Sequence, residues 1–132
     1  MEKGLADYSM KLVILIGIGG FIGTVCRYVF VHFVQSKALS TFPFGTMGVN
    51  LIGCFVIGLV FALSERTNMN AEWRLFLATG FCGGFTTFSA FSAETFGLLR
   101  DGQLWYASAY VLASVFFGLL ATVAGYSILK LI

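Results

Sequence analysis

The chain has 132 residues, 58% hydrophobic and 11% charged, with a net charge of +2. Soluble domains average about 25% charged and about 45–50% apolar residues, and one domain of this size has too little interior to hide the excess. A soluble enzyme is excluded on those grounds, and the scattered basic residues form no stripe for nucleic acid.

Four apolar stretches, residues 12–34, 45–64, 73–99 and 104–130, stand out. Each is long enough to cross a hydrocarbon core of about 30 Å, which takes about 20 helical residues. The expected fold is all-α, a single four-helix transmembrane domain over residues 1–132.

The first span follows Lys3 and Lys11, as a secretory signal would. It is long for a signal, and no small-x-small cleavage site follows, so it is expected to be retained. Gly19 and Gly23, one helical turn apart, give it a close-contact face. The run GIGGFIG is no dinucleotide fingerprint, because Ile22 stands where glycine is required and no strand precedes it. Arg27 lies inside the span. A charge at that depth marks function unless it snorkels to the interface.

A short connection over residues 35–44 holds Pro43, the one proline, and leads into the second span. Asn50 sits near the start of that span, placed either for an interhelical hydrogen bond or for a ligand. A polar loop over residues 65–72 precedes the third span, which is the most unusual segment. Gly83-Gly84 in a helix interior costs about 1 kcal/mol per residue relative to Ala, so a break is expected there, near the middle of the third helix. Carbonyls freed by such a break can bind a cation. Beyond it, Phe88 and Phe91 share a face, with Ser89 and Ser92 beside them. Ring edges are positive, so rings and hydroxyls together suit a partly dehydrated small anion. Plain packing in a chain with 15 Phe residues gives the same pattern. Glu94 follows in the second half of the span, and Arg100–Gln103 form a tight turn. In the fourth span Tyr110 and Ser114 lie on one face and could add hydroxyls to a polar path.

Short loops make neighbouring helices antiparallel. Lys3, Lys11, Arg66, Arg74 and Lys130 then share one side, against Lys37 and Arg100, with Arg27 near that second side. Lys and Arg near span ends set orientation, and so mild a bias leaves insertion in both directions open. Cys26, Cys54 and Cys82 are far apart in apolar runs, and His32 is the sole histidine. No zinc site, disulfide framework or Cys-His or Ser-His-Asp constellation is expected, and the cysteines read as buried packing residues.

Three motifs together resemble the Fluc fluoride channel family, also called CrcB: Gly19–Tyr28 (GGFIGTVCRY), Gly45–Gly53 (GTMGVNLIG) and Gly80–Glu94 (GFCGGFTTFSAFSAE). The resemblance implies a passive channel exporting fluoride across the bacterial inner membrane, built as an antiparallel dual-topology homodimer with two pores. It implies a phenylalanine box at Phe88 and Phe91 and a pore-lining asparagine at Asn50. Ser89 and Ser92, with Thr46, Tyr110 and Ser114, would line a polar track ending at Glu94, and Arg27 would sit in the vestibule. A structural sodium ion (Na+) would be held by the backbone carbonyls of Gly83 and Thr86 from each subunit. Ala90 departs from the family, whose members often carry Thr there. An alternative is a small multidrug-resistance-type proton-coupled exporter, but that class uses a carboxylate in its first span, where this chain has Arg27. A holin-like assembly protein would not need the interior polar set.

Overall fold

The computed structural model describes the backbone of residues 2–132 and the side chains from Ser9 onward, so the charge of Lys3 lies outside the described side chains. Helix α1 spans Glu2–Lys37 and α2 spans Phe44–Thr67. The third crossing is composite: α3 (Ala71–Arg74), a π-helical stretch (Leu75–Cys82), α4 (Gly83–Phe85) and, after two extended residues, α5 (Phe88–Arg100). Helix α6 spans Leu104–Leu131. Four segments, Ser9–Lys37, Phe44–Thr67, Ala71–Arg100 and Leu104–Leu131, are long and apolar enough to cross a membrane. Each includes the predicted span and adds up to a turn at its ends, because polar residues such as Gln35 and Arg66 continue the helical hydrogen bonding past the apolar run.

The ends are tied in two sets. Lys11 pairs with Glu72 at 2.7 Å, the Tyr126 hydroxyl donates to Glu65 at 2.7 Å, and Arg66 donates to the Leu129 carbonyl at 2.8 Å. At the other end Thr41 donates to Gln103 at 2.7 Å, and Gln35 clips the connection to α2 by donating to the Ser40 and Phe42 carbonyls and accepting from the Gly45 N–H. These ties join the start of the first crossing to the start of the third and the end of the second to the end of the fourth. Neighbouring crossings therefore run antiparallel.

Helix α1 packs mainly on the first half of the third crossing, and α2 mainly on α6. Both contacts are backbone-close. A Cβ on Gly23 would run into the Phe81 carbonyl, and one on Gly84 into the Gly20 carbonyl. One on Gly125 would meet the Phe55 carbonyl of α2. Small residues replace a hydrophobic driving force where lipid is as apolar as the side chains. Gly125→Ala is therefore expected to destabilise by about 1–3 kcal/mol through overpacking. Gly97→Ala, with nothing within 4 Å of the added carbon, is expected to be neutral or stabilising. Thermal loss of the monodisperse peak in detergent distinguishes them; equal midpoints would contradict the close-contact account.

Large apolar side chains, including Phe21, Val25, Leu112, Phe116 and Val123, cover the outside. Cys82 is buried and Cys54 half-buried, but Cys26 is exposed on α1. The buried-packing expectation is corrected for Cys26, because an apolar run in a membrane helix has an outer face as well as an inner one.

Candidate functional site

The third crossing breaks at Thr86-Thr87, not at the glycine pair. Gly83 has helical angles (φ −62°, ψ −38°), whereas Thr86 (ψ 160°) and Thr87 (φ −153°, ψ 115°) are extended. Gly84 serves the close crossing with Gly20 instead. Thr87 starts the next helix: its Oγ1 accepts from the Ala90 N–H at 3.2 Å, an N-cap bond. Asn50 of α2 reaches across to the same residue. Its Oδ1 accepts from the Thr87 N–H at 2.8 Å, and its Nδ2 donates to the Thr87 carbonyl at 3.1 Å. Non-helical backbone at membrane depth persists only where something satisfies it, and here one side chain does so. An amide has two N–H donors, so Asn50 keeps one for another partner.

This arrangement has a second consequence. In a continuous helix the Thr87 N–H would bond the Gly83 carbonyl. Drawn to Asn50, it leaves that carbonyl without a hydrogen bond from any described residue, and the Thr86 carbonyl receives none either. Gly83 and Thr86 line an open cleft of about 380 Å³ with Asn50, Cys54, Cys82 and Phe88. Among the described residues no group of three His, Cys, Asp or Glu side chains could hold a metal ion. Unpaired carbonyl oxygens are the kind of ligand that suits a hard cation.

Beyond the break lies a polar seam closed by aromatic rings. Glu94 of α5 accepts from the Thr46 hydroxyl at 2.6 Å and from the Tyr110 hydroxyl at 2.7 Å. Thr46 and Tyr110 are 2% and 0% exposed, so both hydroxyls are committed to this carboxylate. The Phe91 ring packs on Tyr110 with centroids 5.0 Å apart, and Phe88 on Phe91 at 5.6 Å. Phe88 is 78% exposed, presenting its ring outward from the subunit.

The predicted site residues fall into groups. Asn50, Gly83, Thr86 and Phe88 share the cleft at the break, while Thr46, Glu94, Tyr110 and Phe91 meet in the seam. The Ser89 and Thr87 hydroxyls lie 3.3 Å apart. Ser92 is exposed, and its hydroxyl makes no hydrogen bond to a described residue. The Ser114 Oγ is buried without a hydrogen-bond partner and does not join Glu94. Arg27 lines a second cleft, of about 440 Å³, with Thr46, Ala90 and Glu94.

Thr87 and Phe42 escaped sequence reading. Phe42 packs on Tyr110 edge-to-face at 5.6 Å, and no signal in its loop announces that. Thr87 carried one: a hydroxyl residue just before a helical run is an N-cap signature. Glu94→Gln is expected to cost about 1–3 kcal/mol, because an amide accepts through one oxygen only and one buried hydroxyl loses its acceptor. Detergent melting checks this; an unchanged midpoint would show that the seam's hydrogen bonds are replaceable.

Four membrane-crossing segments, the third broken and pinned by a side chain from the second, with a ring-lined polar seam beyond the break, define a multi-pass membrane protein. The chain belongs to the CrcB family: residues 14–126 match the family described as "CrcB-like protein, Camphor Resistance (CrcB)". Similar proteins bear the name "Fluoride-specific ion channel FluC". That of Chlorobium phaeobacteroides strain BS1 is 46% identical, over 90% of this chain and 93% of its own length. That of Chlorobaculum tepidum is 48% identical, over 92% and 97%. That of Bacteroides fragilis is 47% identical, over 88% and 94%.

Proposed function

We propose that this protein is a fluoride-selective channel that exports fluoride passively across the bacterial inner membrane. The observation that carries the reading is 45–48% identity, along nearly the whole chain, to proteins named as fluoride-specific channels. The geometry supports it: Phe88 and Phe91 offer positive ring edges, and Asn50 keeps a free N–H in the cleft that Phe88 lines. The proton-coupled exporter reading fails in α1, where residues 9–37 contain no Asp or Glu to carry a proton. Expression in a fluoride-sensitive bacterium lacking its own exporter tests the reading. Restored growth in fluoride supports it, and growth no better than empty vector contradicts it.

The functional unit in this reading is an antiparallel dual-topology homodimer. Both clefts and the outward Phe88 ring lie open on one subunit, and a second copy would close them into two pores. The balanced Lys and Arg distribution suits insertion in both directions. A cysteine placed at one terminus should react from both faces of the membrane; labelling from one face alone would contradict dual topology.

The Gly83 and Thr86 carbonyls of the two subunits would hold a structural sodium ion, whose charge offsets carbonyl dipoles that lipid cannot satisfy. Loss of fluoride efflux after exhaustive exchange of sodium for a bulky organic cation supports that assignment, and undiminished efflux contradicts it.

A further inference from the structure

The second cleft holds a residue with no role so far. Its α1 wall carries Arg27, Tyr28 and His32, and the facing wall carries Thr46 and Glu94. His32 is exposed, and its one ring contact is a stack on Tyr28 with centroids 6.0 Å apart. Neither His32 nor Arg27 makes a hydrogen bond or ion pair with another described residue, so both are available to an ion in the cleft. Counting from Lys37 at the end of α1, His32 is about 7.5 Å inward and Arg27 about 15 Å inward at the helical rise. A route to the seam therefore passes the imidazole before the guanidinium.

We infer that His32 sets the sign of this vestibule and makes it an anion-collecting mouth when protonated. The inference rests on the channel reading above. The charged and titratable groups that face His32 are Arg27 and Tyr28 on its own helix and Glu94 on α5; Thr46, the lining residue from α2, has no ionisable group. Arg27 and Glu94 carry opposite charges and cancel to first order. Glu94 already accepts from two hydroxyl donors, which fix its carboxyl group in place. The net charge of the cleft is then close to zero with a neutral imidazole and +1 with imidazolium. Histidine is the side-chain type that changes charge between pH 5 and 8. A low-dielectric cleft of one sign concentrates counter-ions and raises their rate of arrival. Protonation of His32 thus feeds fluoride into the seam without touching the selective rings. The effect is greatest when arrival is rate-limiting, at low fluoride, and it weakens with salt because the Debye length shrinks.

The test is fluoride efflux from proteoliposomes at low internal fluoride, at symmetric pH 6 and pH 8, with the leak of protein-free vesicles subtracted. Wild type is expected to run about threefold faster at pH 6, with the ratio falling toward one in high salt. In His32→Gln the ratio is expected to be about one. His32→Arg also loses the pH dependence, but runs faster at pH 8 than His32→Gln. Equal wild-type rates at the two pH values, or a His32→Gln ratio like that of wild type, overturn the inference and leave the channel reading standing. No efflux above the leak at either pH overturns both. His32 is exposed on the single subunit and makes no hydrogen bond there, and a monodisperse dimer profile in detergent checks that each variant still folds and assembles.

Discussion

Asn50→Ala should abolish most fluoride efflux. The substitution strips the Thr87 N–H and carbonyl of their partners at once. Each group left unpaired away from water costs about 1–3 kcal/mol. The Thr87 N–H would then turn back toward the Gly83 carbonyl, drawing the break toward continuous helix and shifting Phe88 and Phe91, which begin the helix beyond it. A barrier raised by about 1.4 kcal/mol is already a tenfold loss of rate, so the expected fall is at least tenfold. Asn50→Asp is the informative companion. It keeps the acceptor for the Thr87 N–H, loses the donor and adds a negative charge beside an anion path, so it should fold better than the Ala variant while conducting no better. Efflux assays paired with detergent melting curves read both. An Ala variant with normal efflux would show that the break stands without Asn50.

Phe88→Ile and Phe91→Ile should each lower efflux by about two- to tenfold, since a ring edge contributes about 0.5–1.5 kcal/mol beyond apolar contact. Isoleucine keeps bulk and removes the quadrupole. The two positions differ in their folding cost. Phe88 is largely exposed on the isolated subunit, so its loss barely affects packing within the chain, whereas Phe91 supports Tyr110 and its loss should also lower the melting temperature. Phe→Met at either position tests polarizability, because methionine is soft and flexible. Should both Ile variants conduct like wild type, the rings are packing residues, and Asn50 with the serines must carry the anion.

How far the sequence could be read depended on the range of the interactions. The four crossings were legible because length and apolarity are local and the bilayer demands both. That the third crossing breaks near its middle was legible as well, but the residues that form the break were not. The cost of glycine in a helix pointed to Gly83-Gly84, while the deciding bonds run from Asn50 to Thr87, 37 residues away. The role of Gly84 was hidden because its partner, the Gly20 backbone, is still more remote in the chain. The Glu94 cluster draws on three helices, with Thr46 and Tyr110 respectively 48 and 16 residues distant. Spacing along one helix cannot reveal such a meeting. His32 stands alone in the sequence as a possible metal ligand, and it shares a cleft with Thr46 and Glu94 only once α2 and α5 line that cleft opposite α1.

The most direct test of the central claim is anion selectivity. Purified protein in liposomes loaded equally with fluoride and chloride, with an outward gradient and a potassium ionophore to clamp the voltage, allows both effluxes to be read by ion-selective electrodes. Fluoride leaving rapidly while chloride stays at the rate of protein-free vesicles is the expected result. Comparable efflux of the two anions, or none of either, would contradict a fluoride-selective path through Asn50, Phe88 and Phe91.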